Sequence, residues 1–330
     1  MSINNLHSNE DESSNLFKQE DNICRRSEEI IRNKTENISN EEYSLLAKNY
    51  KKLLKQTKRL IRIGDMQQLK LDQANKELSE KNQQITDSIY YARRIQQAML
   101  PSKDATQEAF GENAFVIYRP HSIVSGDFYW LTHTERKILI AAIDCTGHGV
   151  SGAFLSMIGN TLLNKIVLKD RIHNPARILE QLHRGVRSEL QQETGNISDG
   201  MDVCLCCIDG INVTFAGAKR PLYYFSQQQL QELKGDRKSI GGRQKEEQRT
   251  FTNQEIILNP GDTLYLSSDG IADQPNPQGK RFGSRRLKAL LNEIAPYSMT
   301  KQEHLIRIQL EMHQQEELQR DDITLLGVRI

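Results

Sequence analysis

The chain has 330 residues, 44 basic against 43 acidic, and 37% apolar residues, with a mean hydropathy of -0.63. Balanced charge argues against a broad nucleic-acid footprint. The low apolar content leaves part of the chain without a core of its own, and no apolar run approaches the roughly 20 residues that span a bilayer. Five cysteines without framework spacing fit a reducing cytoplasm better than secretion.

Residues 1–40 are rich in Asn, Glu, Ser and Asp and are expected to form a disordered or weakly helical tail. Helix formers dominate from Glu41, and no proline appears until Pro101. Leu46, Leu53 and Leu60 are spaced by sevens, and so are Leu71, Leu78, Ile85, Ala92 and Met99. The step between these blocks is a stutter that contains Gly64. The repeat predicts a coiled coil over 41–100 that builds a parallel homodimer; the alternative is a single amphipathic helix packed on its own domain. Its last stretch, Ile85 to Leu100, is suited to carry a signal from an upstream sensor or regulator into the domain over 101–330.

That domain reads as α+β. Strands are expected at Phe115–Tyr118, Ile138–Ile143, Val203–Ile208, Val213–Ala216, Leu222–Phe225, Glu255–Leu258, Thr263–Leu266 and Ile323–Ile330. Helices are expected at Ser151–Leu168, Pro175–Gln192, Ser284–Leu291 and Thr300–Leu318. Asp209-Gly210 between two strands is a hairpin signal. Cys204, Cys206 and Cys207 lie in an apolar strand without a histidine pair, which favours a buried strand over zinc.

Aspartates recur beside the strands: Asp127 after the first, Asp144 at the end of the second, Asp202 before the cysteine strand, Asp269 after Thr263–Leu266, and Asp321-Asp322 before the last. Each alone is an ordinary turn or cap residue. Converging on one end of the sheets, they would repel one another unless cations were bound. Hard oxygen ligands point to Mg²⁺ or Mn²⁺. Two such ions about 3.5–4 Å apart can activate a water and clamp a phosphoryl group.

The order Gly126-Asp127-Phe-Tyr, Asp144-Cys-Thr-Gly-His-Gly149, Gly200-Met-Asp202, Ala216-Gly-Ala218, Ser268-Asp269-Gly270 and Asp321-Asp322-Ile-Thr resembles the SpoIIE-type branch of the PPM (protein phosphatase 2C-like) metal-dependent serine/threonine phosphatases. The likeness covers about Ser88 to Ile330. It implies an αββα sandwich with two Mn²⁺ or Mg²⁺ ions. The metal ligands would be Asp127, Asp144, the Cys145 backbone carbonyl, Asp269 and Asp321, with Asp127, Asp144 and Asp269 acting through a metal-bound water. The implied substrate is a phosphorylated STAS-domain anti-sigma-factor antagonist in bacterial partner switching. His148 lies four residues after Asp144, where eukaryotic-type relatives place a proposed acid two residues on; Thr146 stands there instead. His148 is kept as a candidate acid beside a helix-entry role. The competing reading is a phosphatase-fold protein with little activity that sequesters a partner.

Overall fold

The computed structural model describes residues 18–32, 39–134, 136–244, 246 and 248–330. The chain divides into two compact units, Met1–Gln84 and Ile85–Ile330. In the first, helix α1 covers Lys18–Arg32; the remainder of the expected tail, 1–17 and 33–38, lies outside the described residues. Helix α2 covers Asn40–Met99. Ser39 opens it with a capping box: Glu42 N–H donates to Ser39 Oγ at 3.2 Å, and Ser39 N–H donates to Glu42 Oε2 at 3.3 Å. Its repeat leaves Leu46, Leu60, Leu71 and Leu78 between 42% and 60% exposed. No described helix is long and apolar enough to cross a membrane.

The second unit is an α-β-β-α sandwich. Strands β1 (Ala114–Arg119), β6 (Leu222–Ser226), β7 (Gln229–Leu233), β10 (Thr263–Ser267) and β11 (Ile323–Arg329) form one sheet in the order β1-β11-β10-β6-β7. Strands β2 (Phe128–His133), β3 (Ile138–Cys145), β4 (Gly200–Asp209), β5 (Asn212–Ala218) and β9 (Gln254–Ile257) form the other in that order, and β8 (Ile240–Gly241) pairs with β4. The strand pairs of both sheets are antiparallel. Asp209 pairs with Asn212 where β4 turns into β5, and Gly210 takes the positive φ of 60° that this hairpin needs.

Period-two alternation explains why β3 and β4 read as unbroken apolar runs. Leu139, Ala141 and Ile143 join the helix-side core with Val203, Leu205 and Cys207. Ile140 and Ala142 join the core between the sheets with Cys204, Cys206, Leu264 and Leu326. A central strand covered on both faces has no polar face to show. The cysteines are therefore core residues, and none of the five forms a disulfide.

Helices α4 (Gly149–Asn164) and α5 (Pro175–Glu189) cover the β2–β5 sheet, whereas α7 (Ser284–Ile294) and α8 (Met299–Gln314) cover the other. Their starts follow local chemistry: Asn174 Oδ1 accepts from Arg177 N–H with Pro175 in the first turn, and Ser298 Oγ accepts from Lys301 N–H. Two short helices, α3 (Lys103–Phe110) and α6 (Gly270–Asp273), and a π-helical turn over Lys165–Lys169 also belong to the unit. Phe128–His133 was not expected as a strand. Its β2 pairing places Asp127 at the mouth of the β2–β5 sheet, directly ahead of the strand.

Candidate metal and phosphate site

Asp144 and Asp202 face each other across the β3–β4 ladder, an arrangement that is destabilising for like charges unless something stands between them. Asp269 and Asp321 arrive from the other sheet, at the end of β10 and just ahead of β11. Together with Cys145, His148 and Arg220, these four aspartates line one cleft of about 360 Å³. Asp127 sits behind it, 2% exposed, beside Asp144 and the hydroxyls of Ser268 and Thr324.

The residue that sequence reasoning missed is Arg220. Its Nη2 donates to Asp269 Oδ2 at 2.6 Å, to Asp144 Oδ2 at 2.8 Å and, more weakly, to Asp202 Oδ2 at 3.4 Å. Burial alone would favour losing its proton, but Asp144 and Asp269 more than offset that and hold the guanidinium charged. Asp202 is further held by Ser239 Oγ at 2.7 Å and Lys219 Nζ at 3.6 Å. Lys219-Arg220 before Pro221 was visible as a basic pair closing a strand, but nothing local says that it turns onto carboxylates from three other strands' ends.

The carboxylates show the strain of their company. Burial, then Asp269, pushes Asp144 up to about 8 despite Arg220. Burial, then Asp144, raises Asp127 well above the carboxylate range, and its Oδ2 is buried with no hydrogen-bond partner. Burial also raises Asp321. Among the described residues no three His, Cys, Asp or Glu side chains close around a common point; the carboxylates turn onto Arg220 instead. The donor set nonetheless fits a hard cation: all oxygen, crowded, with one carboxylate oxygen left unpartnered in the interior.

Cys145 lines the cleft while its side chain belongs to the helix-side core, so its backbone is what meets the cleft. Burial pushes its thiol up, which removes it as a thiolate nucleophile. The turn after it is packed backbone to backbone. A Cβ on Gly126 or on Gly152 would collide with the Gly147 carbonyl, so only glycine lets the Asp127 loop, this turn and α4 meet. Thr146 Oγ1 locks the turn to β4 through the Gly200 carbonyl at 3.0 Å.

His148 occupies the N-cap position of α4, but its side chain makes no capping bond. Its exposed ring packs against His121, centroids 4.8 Å apart, at the edge of the cleft. Asp322, next to Asp321, is not in the cleft: its carboxylate accepts from His121 N–H and Gly126 N–H, both at 2.7 Å. Arg119 stands apart as well, bonded to Gln314 at 3.3 Å.

A second missed residue is Gln96, near the end of α2. Its Nε2 donates to the Ser125 carbonyl at 2.6 Å and to Ser156 Oγ at 2.9 Å, and its Oε1 accepts from Ser125 N–H at 3.1 Å. The helix therefore grips the loop that carries Asp127, two residues along.

Residues 134–330 match the family described as Stage II sporulation protein E (SpoIIE). No curated protein sequence matches the chain. Among solved structures, the SiaA-PP2C domain of Pseudomonas aeruginosa is 36% identical, with a TM-score of 0.68 over 76% of this chain and 98% of that one. The PP2C phosphatase domain of SpoIIE from Bacillus subtilis, solved with a fragment of its regulatory domain, is 20% identical, with a TM-score of 0.53 over 66% of this chain and 63% of that one. The RsbU and RsbW domains of a Mycobacterium tuberculosis protein give 17% identity and a TM-score of 0.52 over 66% and 59%. These last two share the fold. On the family match and the SiaA likeness, the chain belongs to the SpoIIE family and carries a PP2C-type phosphatase domain.

Proposed function

We propose that the protein is a metal-dependent phosphatase that hydrolyses phosphoserine or phosphothreonine on a STAS-type anti-sigma-factor antagonist in cytoplasmic partner-switching signalling. The observation that supports it best is the buried, unpartnered oxygen of Asp127 beside Asp144, behind a cleft where a guanidinium already stands among carboxylates from both sheets. The substrate class rests on the SpoIIE-type motif order.

Asp127, Asp144 with the Cys145 carbonyl, Asp269 and Asp321 would hold two Mn²⁺ or Mg²⁺ ions. When bound, such a pair supplies Lewis-acid polarisation of phosphoryl oxygens and a water of lowered pKa. The other groups orient and neutralise. Arg220 would turn from Asp144 and Asp269 towards phosphoryl oxygens, where a planar fork of donors suits the anion. His148, at the cleft edge and packed against His121, would pass a proton to the departing serine or threonine oxygen. No covalent intermediate is needed, and the buried Cys145 thiol offers none.

Regulation fits the same frame. The exposed leucine repeat supports homodimerisation through 41–100. A partner that shifts Ile85–Leu100 would act on Asp127 through the Gln96 bonds to Ser125.

The test is turnover of para-nitrophenyl phosphate and of a phosphoserine peptide by the full chain with Mn²⁺ or Mg²⁺. Turnover should vanish with a chelator and return on re-addition of the ion. Hydrolysis that persists in chelator, or no hydrolysis under any condition, rejects the reading; the second result would favour a sequestering protein.

A further inference from the structure

Ser239 stands where two clefts meet. Its hydroxyl is bonded to Asp202 in the acidic cleft, and with Thr146 and Lys219 it also lines a neighbouring cleft of about 500 Å³. The character of the second cleft is reversed. Lys219, Arg237, Lys238, Arg243 and Arg249 line it, and Glu246 is the one acidic residue among its described lining.

These cations divide by use. Arg249 is consumed by the fold: Nε donates to Glu246 at 2.7 Å, and its Nη atoms donate to the carbonyls of Ser239, Gly241 and Arg243 at 2.8, 3.1 and 3.0 Å. Arg187 Nη1 donates to the Gly242 carbonyl at 2.7 Å, and Gly241 N–H donates to His183 Nδ1 at 3.0 Å. The segment 239–243 is therefore pinned on β4 and α5. Arg237, Lys238 and Arg243 form no ion pair or side-chain hydrogen bond among the described residues. Unspent cations on or beside a fastened segment can bind an anion without further ordering of that backbone.

We infer that this basic cleft receives acidic side chains flanking the phosphorylated residue of a polypeptide substrate, so that the enzyme selects phosphosites set in acidic sequence. The inference rests on the phosphatase reading and names its substrate preference. Lys238 adjoins Ser239, about 3.8 Å away between Cα atoms, and an extended chain advances about 3.3–3.6 Å per residue. Carboxylates within two or three positions of the phosphoresidue thus come within reach. The preference answers an electrostatic need, because the two divalent cations and Arg220 would neutralise only the carboxylates of the neighbouring cleft, whereas carboxylates flanking the phosphoresidue need counter-charges of their own, which Arg237, Lys238 and Arg243 offer. A nucleic-acid backbone fits less well, since the whole chain carries a net charge of only +1 and so lacks a broad basic footprint.

The test compares, for the full chain with Mn²⁺, two phosphoserine peptides that differ only in having Glu or Lys at the two positions on each side. Wild type should favour the Glu peptide by about tenfold in kcat/KM, mainly through KM, and the ratio should shrink as salt rises from about 0.05 to about 0.5 M. The double variant K238E/R243E should bring the ratio to one or below; R237E, tested separately in case the double variant fails to fold, should at least halve it. A wild-type ratio near one, or a ratio unmoved in folded variants, overturns the inference while leaving the phosphatase reading intact. Absence of hydrolysis of both peptides and of para-nitrophenyl phosphate sinks both. Tight binding of a duplex oligonucleotide that K238E/R243E abolishes would reassign the cleft to nucleic acid and overturn the inference too.

Discussion

Asp322 and Asp127 are both 2% exposed and close enough to feel each other's charge, yet they differ in what satisfies them. Asp322 has both oxygens filled by backbone N–H groups at 2.7 Å. Asp127 keeps one oxygen bare. Asp144 and Asp269 fall on the second side of this divide, since each shares its one cationic partner among the described residues, the Arg220 guanidinium, with the other. A saturated buried carboxylate is a structural post, because removing it orphans its donors. An undersatisfied one is a binding group awaiting a ligand.

This contrast is sharpest at its extremes. Asp144→Asn or Asp269→Asn should lower Mn²⁺-dependent turnover by at least about 100-fold, more than is typical of losing an outer-shell partner, while the melting temperature stays within a few degrees. A folded Asp144→Asn enzyme with normal turnover would collapse the distinction. Asp322→Asn should do the reverse. An amide can accept only one of the two N–H bonds and turns a donor against the other, a loss of roughly 2–3 kcal/mol that thermal melting would show as a drop of about 4–10 °C. Unchanged melting would show that Asp322 is no post.

Arg220→Gln probes the guanidinium that stands among the carboxylates. If it competes with cations for Asp144 and Asp269, its removal should tighten Mn²⁺ binding about tenfold, equivalent to about 1.4 kcal/mol, by calorimetric titration, whatever happens to turnover. Weaker Mn²⁺ binding would mean instead that Arg220 organises the carboxylates. The smallest effect is expected at Cys145→Ala: turnover within about twofold of wild type, with a stability loss of about 1 kcal/mol for the vacated core volume. A large activity loss in a folded variant would show that the thiol itself takes part.

Much of this molecule was legible in its residues. Strands such as β3 and β4 announce themselves because both faces are buried, and Asp209-Gly210 marks their hairpin neighbour. The order of aspartate-glycine turns pointed to the fold and to the candidate site. Three strands, β2, β7 and β8, were not foreseen. Phe128–His133 begins immediately after the Gly126-Asp127 turn and was absorbed into it, although Phe-Tyr-Trp-Leu-Thr is a favourable strand composition. Gln229–Leu233 carries polar residues on an edge, and Ile240–Gly241 is too short to show a period.

Sequence alone determined most of the elements, the two-sided burial of the central strands and the identity of the acidic residues near strand ends, because these depend on local periodicity and turn chemistry. Only the tertiary structure decided which aspartates are saturated and which are left bare. It also brought Arg220 to Asp144 and Asp269, Gln96 to Ser125, and the unpaired Lys238 and Arg243 to the flank of the cleft. Such pairings join residues tens to hundreds of positions apart. They are fixed by how two sheets stack and where their ends meet, and no local pattern encodes that.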